Sequence, residues 1–259
     1  MELSNAVAIV TGAGSGIGRA SAHAFATRGA RVVVTDLDEE RASEVAVELG
    51  DQAVATRCDV TRVDDLQAVR QLALEHFGRV DLVMNNVGIL VVGNVEDIPL
   101  DAWERVVNVN LMSVVRSLSV FLPGIITQGS GYIVNTASTA GLFPYGYDRL
   151  PYVATKHAIV GLSESLAVYL RPKGIGVSCF CPAGVMTNIV EQMTFYGDRT
   201  QPIGPNFGVI DADTAGELVA DGVAHDRFLI LTTDEVRDEL RTRGNDVEAY
   251  LDQVIQEYT

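Results

Sequence analysis

The sequence predicts an α/β fold: a doubly wound, Rossmann-like parallel sheet of about seven strands with helices on both faces, built as one domain over residues 1–259. Three observations lead there. Short apolar runs recur without strict alternation, as strands buried on both faces require. Longer segments with helical spacing separate them, and a glycine-rich turn follows the first run directly.

The runs are Ala6 to Thr11, Arg31 to Asp36, Ala53 to Cys58, Val80 to Asn85, Tyr132 to Ser138, Ile175 to Cys181 and Phe228 to Leu231. Between them, Glu39 to Leu49 and Val63 to Phe77 read as helices. In the second of these, Leu66, Val69, Leu72, Ala73 and Phe77 step by three and four and fall on one stripe. Gly29 and Gly50 stand where the chain must leave a helix, and Pro172 closes a helix ending at Arg171. After Pro182 the rhythm stops. Met186 to Ile210 mixes Gly, Pro, Met and aromatic residues without a period, and residues 186–212 read as a substrate-loop insertion. Helical spacing returns from Asp234 to Tyr258.

A chain of this length buries roughly 70–75% of its unfolded surface and needs no covalent staples. Its net charge of -15 repels phosphate backbones and anionic lipid, so neither nucleic acid nor membrane is an expected partner. Cys58, Cys179 and Cys181 make an odd set without C-x-x-C. They read as buried reduced thiols, with no metal site. No basic stretch precedes a long apolar run at the N-terminus, and no run approaches the ~18 apolar residues of a membrane span. A cytoplasmic location is the expectation.

Val7 to Val10 runs into Thr11-Gly-Ala-Gly-Ser-Gly-Ile-Gly18 and then a helix-compatible stretch. Such glycines allow a tight turn and close approach of backbone N–H groups to a pyrophosphate, making Gly12, Ser15, Gly16, Ile17 and Gly18 candidate dinucleotide contacts. Asp36, with Leu37 beside it, ends the second run where an acid meets the adenosine ribose. Its carboxylate would face the 2′-phosphate of NADP, a repulsion on the order of a few kcal/mol at a dielectric near 20. No Arg or Lys stands at Thr35 or Leu37 to offset it, so NAD is the expected cofactor.

Tyr152 and Lys156 are four apart in a helical segment and share a face. Lowering a phenol from its ordinary pKa of about 10 by two to three units takes roughly 3–4 kcal/mol. An ammonium about 4 Å away at a dielectric of about 20 supplies that much, so Lys156 is expected to make Tyr152 a proton-transfer group. Tyr145 and Tyr147 compete for the role but lie among Pro144, Gly146 and Pro151, where helical spacing cannot be assumed. Ser138, at a strand's carboxyl end, could hold the substrate oxygen.

This ordered set resembles the short-chain dehydrogenase/reductase family over nearly the whole chain, completed by Asp59-Val60, Asn85-Asn-Val-Gly88, Asn110 and Pro182 to Thr187. The resemblance implies an NAD-dependent oxidoreductase acting on CH–OH groups. It also implies roles. Asp59 and Val60 would contact adenine, and Asn86 to Gly88 would support the adenosine ribose. Asn110 would hold a water linked to Lys156 and form a tetrad with Ser138, Tyr152 and Lys156. Lys156 would also bond the nicotinamide ribose, while Val185 and Thr187 would hold the carboxamide. Two positions depart from the family pattern: Val87 replaces alanine, and Ala183 replaces a glycine that would tolerate positive φ.

Candidate substrate contacts are Val91, Leu142, Phe143, Tyr145, Tyr147, Met193, Phe195 and Tyr196, a mainly apolar set that favours a neutral, moderately hydrophobic secondary alcohol or ketone. Arg149 and Arg199 keep an anionic substrate open. An NADPH-dependent ketoreductase and a non-catalytic dinucleotide-binding regulator remain alternatives. The resemblance further implies a homo-oligomer, tetramer or dimer, paired through helices around Leu100 to Leu122 and Tyr152 to Leu170, both apolar beyond one buried stripe.

Overall fold

Each apolar run predicted as a strand enters one parallel sheet. In the computed structural model, which describes residues 1–187, 193–198, 200–203 and 207–258, the strands are β1 Val7–Thr11, β2 Arg31–Asp36, β3 Ala53–Arg57, β4 Leu82–Asn85, β5 Gly131–Thr136, β6 Ile175–Cys181 and β7 Leu229–Leu231. Their order is β7-β6-β5-β4-β1-β2-β3, with every neighbouring pair parallel. The order reverses between β1 and β4, which leaves a crevice at the carboxyl ends of those strands.

The helices are α1 Gly16–Thr27, α2 Glu39–Leu49, α3 Val63–Phe77, α4 Leu100–Val106, α5 Met112–Gln128, α6 Leu150–Leu170, α7 Ala212–Ala224, α8 Asp234–Asn245 and α9 Val247–Tyr258. Period-two alternation divides each strand between two cores. Ala8, Val10, Val32, Val34, Leu82 and Met84 meet Phe25 of α1, Val45 of α2 and Val219 of α7. Val7, Ile9, Val33, Val83 and Ile133 meet Leu66 of α3, Phe121 of α5 and Leu170 of α6. Burial on both faces explains why these runs lack hydrophobic-polar alternation.

Several boundaries differ from expectation. Val80 and Asp81 precede β4, and the Asp81 carboxylate accepts from the Val7 N–H at 2.9 Å. Ser138 lies beyond β5 and starts a short 3-10 turn, its Oγ accepting from Ala140 N at 3.1 Å. A hydroxyl that bonds the backbone locally ends the ladder. The charged tail is two helices, broken by an extended Asp246.

One helical run, Leu100–Gln128, is long and apolar enough to cross a membrane, contrary to the expectation that none is. It joins α4 to α5 through a π-helical segment, Val107–Leu111, and seats Phe121 and Ile125 in the core. Leu100, Met112 and Val115 stay exposed on it.

Two small pairings shape the crevice mouth: Gly184–Val185 with Val209–Ile210, and Val91–Val92 with Thr194–Phe195.

Candidate active site

Immediately after β1 the chain turns left-handed at Gly12 (φ 63°) and again at Gly16 (φ 51°), conformations that side chains resist. Gly18 has a different reason to be glycine: a Cβ there would lie 2.1 Å from the Gly12 carbonyl oxygen. Ser15 precedes α1 without a side-chain cap, and the first turn carries no acid. The helix thereby presents free N–H groups and its positive end to the crevice.

Asp36 closes β2 beside this loop. Its Oδ2 accepts from Gly14 N at 2.9 Å and its Oδ1 from Asp38 N at 3.1 Å, which fixes the carboxylate at the crevice edge. Asp59 Oδ1 accepts from the Thr61 side chain at 2.7 Å and its N–H at 2.9 Å, and the Thr61 hydroxyl leads in holding this carboxyl below its ordinary range.

A cavity of about 690 Å³ unites these residues with the predicted proton-transfer pair. Gly12, Ser15, Gly16, Ile17, Asp36, Leu37, Asp59, Val60, Asn86, Gly88, Tyr152, Lys156 and Thr187 all line it. Gly18 and Val185 are not among the lining residues. Gly18 shapes the loop from behind, and Val185 pairs with Ile210. The cradle fits a nicotinamide dinucleotide: bare glycines and helix N–H groups for the pyrophosphate, a fixed carboxylate for the ribose, and a lysine at the far end.

Sequence reasoning missed Arg41, Thr61 and Arg105, which also line the cavity. Arg41 lies one turn into α2, and its Nε is 3.3 Å from Asp38 Oδ2. The only sequence signal was its spacing from Asp36, since the basic residue sits five positions on instead of adjacent.

At the reaction end, Tyr152 and Lys156 occupy the first two turns of α6. Lys156 is buried; its Nζ donates to the Thr136 carbonyl at 2.8 Å and lies 5.3 Å from the centre of the Tyr152 ring. Burial lowers the ammonium to about 8. Burial also pushes the Tyr152 phenol above its ordinary value, opposed by a hydrogen bond with Ser138 and by the Arg149 guanidinium. Desolvation works against both charged forms, and Ser138 and Arg149 supply the opposing pull.

Asn110, buried in the π-helical segment, is committed to a backbone clamp. Its Oδ1 accepts from Ile89 N at 2.8 Å, and its Nδ2 donates to Ile89 O at 3.0 Å and to Thr155 Oγ1 at 3.3 Å. A Cβ at Gly88 would sit 3.4 Å from Lys156 Nζ and 3.7 Å from Asn110 Oδ1, so the three positions are close-packed. Val87 seats its methyl against Gly12, and Ala183 is not among the positive-φ residues described.

The substrate candidates fare differently. None of Val91, Leu142, Phe143, Tyr145, Tyr147, Met193, Phe195 and Tyr196 is among the residues lining the cavity. Phe143 has no exposed surface and stacks on Tyr145 at 5.8 Å, with Phe207 and Tyr250 also against its ring. Phe143, Tyr145 and Leu142 thus belong to the core that α8 and α9 complete. Val91 is buried within the second small pairing, whereas Tyr147 and Phe195 are exposed. Arg149 is spent on Asp148, Nε to Oδ1 at 2.8 Å, which weakens it as an anion receptor. Arg199 lies outside the described residues. Among those described, no cluster of His, Cys, Asp and Glu could hold a metal.

Residues 6–195 match the family model of the short chain dehydrogenases. The chain is 38% identical to cyclohexanol dehydrogenase of Acinetobacter sp. (strain SE19) over 196 residues, 74% of this chain and 77% of the relative. It is 34% identical to 1-deoxy-11-beta-hydroxypentalenate dehydrogenase of Streptomyces exfoliatus over 253 residues, 95% and 90% of the two chains. A short-chain dehydrogenase/reductase from Burkholderia phymatum, solved in complex with NAD, superposes with a TM-score of 0.85 at 33% identity, covering 96% of each chain. With the nucleotide cradle and the Tyr152–Lys156 helix in one crevice, these likenesses make the chain a member of the short-chain dehydrogenase/reductase family, an oxidoreductase of CH–OH groups that uses a nicotinamide cofactor.

Proposed function

We propose that this enzyme oxidises a neutral, moderately hydrophobic secondary alcohol with NAD, and that Tyr152 takes the alcohol proton. The observation that carries the reading is the single cavity lined at one end by the glycine loop and Asp36 and at the other by Tyr152 and Lys156. Gly12, Ser15, Gly16 and Ile17 would hold the pyrophosphate, and Asp36 with Leu37 the adenosine ribose. Asp59 and Val60 would meet the adenine. Asn86, Gly88 and Thr187 would line the path to the nicotinamide, with Val185 supporting Thr187 from its strand pairing. NAD, when bound, supplies the ring that accepts the hydride.

The chain's own residues handle the proton. Ser138 Oγ, already bonded to Ala140 N and to the phenol, orients the substrate oxygen toward Tyr152. Tyr152 as phenolate accepts the hydroxyl proton, general-base work that contributes typically 10²- to 10⁴-fold. Lys156, anchored on Thr136 O, holds positive charge beside the ring and would bond the nicotinamide ribose. Asn110 fixes Ile89 and so the floor beneath Lys156.

Two carboxylates, Asp36 and Asp38, stand against the one guanidinium of Arg41 at the ribose end, which supports NAD over NADP. The likeness to cyclohexanol dehydrogenase and to 1-deoxy-11-beta-hydroxypentalenate dehydrogenase supports a compact alicyclic alcohol. Exposed Leu100, Met112 and Val115 on the Leu100–Gln128 run, and Val168 and Tyr169 on α6, support a homo-oligomer.

The experiment is a panel of secondary alcohols, cyclohexanol included, followed through the absorbance of reduced nicotinamide. Turnover with NAD that is lost in Tyr152→Phe supports the reading. Full rate in that variant removes Tyr152 from the chemistry.

A further inference from the structure

Two thiols remain that the catalytic reading does not use. Cys179 and Cys181 lie on β6 two residues apart, so their side chains leave the same face of the strand. Neither has exposed surface, and both belong to the core that Phe143, Tyr250 and Val254 complete. Their sulfur atoms stand 3.7 Å apart in a hydrogen-bonded contact. Cys58 is buried elsewhere, in the core against α3.

The distance decides what the pair can hold. A disulfide needs its sulfurs at about 2.05 Å and prefers Cα atoms about 5.5–6 Å apart. Two residues of parallel strand span about 6.6 Å, near the outer limit for such a bond, and β6 is fixed between β5 and β7 by its ladders. Direct closure therefore strains the sheet. One bridging atom does not: two bonds to sulfur of about 2.3 Å, the scale of a zinc–thiolate bond, opened to about 100°, span about 3.5 Å. Zinc itself takes four ligands in a structural site, and among the described residues no third His, Cys, Asp or Glu joins the pair. A cationic guest would also meet the Lys156 ammonium, which faces both thiols from α6. The guest that fits is small, neutral, trivalent and thiophilic.

The surroundings can take the polar remnant of such a guest. Asn135 is in register with Cys179, and its Nδ2 donates to Ser163 Oγ of α6 at 3.0 Å, while Ser163 hydrogen-bonds Cys179. Pairing with Cys181 draws the Cys179 thiol below its ordinary value, and the same pairing, with burial, holds Cys181 up. One sulfur is thereby readied as thiolate while the other keeps the proton. Access is from the crevice: Pro182, which follows Cys181, and Ala137, whose N–H donates to Phe180 O at 2.7 Å, both line it.

We propose that Cys179 and Cys181 form a two-thiol site for a trivalent arsenical, with arsenous acid the form that the buried position admits. Each sulfur displaces one hydroxide from arsenic, and that hydroxide leaves with a thiol proton as water. Two As–O bonds break, two As–S bonds form, two waters depart and one hydroxyl stays on arsenic. Arsenic remains trivalent, no electron changes hands, and the adduct brings no net charge into the core. Closure of the second bond is intramolecular, which strengthens retention over a single thiol by about 10²- to 10⁴-fold.

The test treats the full chain with sodium arsenite, desalts it, unfolds it and labels free thiols with a maleimide, with peptide mapping to place the labels. Entry waits on local opening of the crevice wall, so labelling is followed over time. Cys179 and Cys181 are expected to lose label together while Cys58 keeps it, with one arsenic per chain, and 2,3-dimercaptopropanol restores label at both. In Cys179→Ala and Cys181→Ala the surviving partner is expected to bind arsenite at least about a hundredfold more weakly. Persistent label at both Cys179 and Cys181 in the treated parent overturns the site, as does loss at one without the other, or undiminished arsenic in either Ala variant. Labelling of the parent needs no substitution, so it decides the question even if an Ala variant fails to fold.

Discussion

Lys156 donates from Nζ to the carbonyl oxygen of Thr136 at 2.8 Å, which holds a buried ammonium under the crevice floor. Burial lowers its pKa to about 8, against about 10.4 for a free lysine. Between those values the folded chain binds fewer protons than the unfolded one, so folding stability rises with pH across that window. Below it the charged lysine is a net strain on the fold. Lys156→Met is expected to stabilise the cofactor-free protein at neutral pH by about 2 kcal/mol, after the lost bond to Thr136 is set against roughly 3 kcal/mol of relieved desolvation. Calorimetry should show Tm rising by about 5 °C at pH near 7, with the gain shrinking toward pH of about 10.4, while turnover is abolished. A lower Tm would mean that the ammonium stabilises the fold.

Asp36 meets the crevice with Gly14 N and Asp38 N on its two oxygens. Removing its carboxylate takes away both a ribose partner and the charge that repels a 2′-phosphate, and Arg41 then faces the site with only Asp38 against it. Asp36→Ala should shift the ratio of kcat/KM for NAD over NADP toward NADP by at least about tenfold, or 1.4 kcal/mol. An unchanged ratio would assign cofactor choice elsewhere.

The sheet was legible because burial on both faces writes itself as unbroken apolar runs, and the glycine loop because its geometry tolerates few other residues. The substrate wall was not legible. Phe143 and Tyr145 lie close in sequence to Ser138 and look like cleft residues, yet Tyr250 and Val254, about a hundred positions away, turn their rings into core. No local pattern announces that contact. Asn110 could be picked out by resemblance, but its pair of hydrogen bonds with Ile89 depends on a π-helical segment with no periodicity of its own.

Phe143 and Tyr147 separate these two readings of the aromatic residues. Phe143 is fully buried among Tyr145, Phe207 and Tyr250, whereas Tyr147 is 42% exposed. Phe143→Ala is expected to destabilise by about 3–4 kcal/mol, the usual range for a core phenylalanine. Tyr147→Ala should stay within about 1 kcal/mol. Denaturant melts of the two variants decide it; a Phe143→Ala chain of unchanged stability with a raised KM would return that ring to the substrate site.

Gly18 lies behind the loop, not on the cavity surface, and a Cβ there would stand 2.1 Å from Gly12 O and 2.8 Å from Asn86 Nδ2. Two backbone segments would have to part to admit it, with the Asn86 bonds to Thr11 O and Gly12 O lost on the way. Gly18→Ala should therefore lower stability by roughly 2–3 kcal/mol even without cofactor, as overpacking of a tight contact does. Cofactor affinity should fall with it, because the turn that aims the α1 N–H groups is displaced. Thermal melts and NAD titration made together discriminate the causes. If affinity falls while Tm holds, Gly18 would be acting at the cofactor surface, and the close approach to Gly12 would not be what demands glycine.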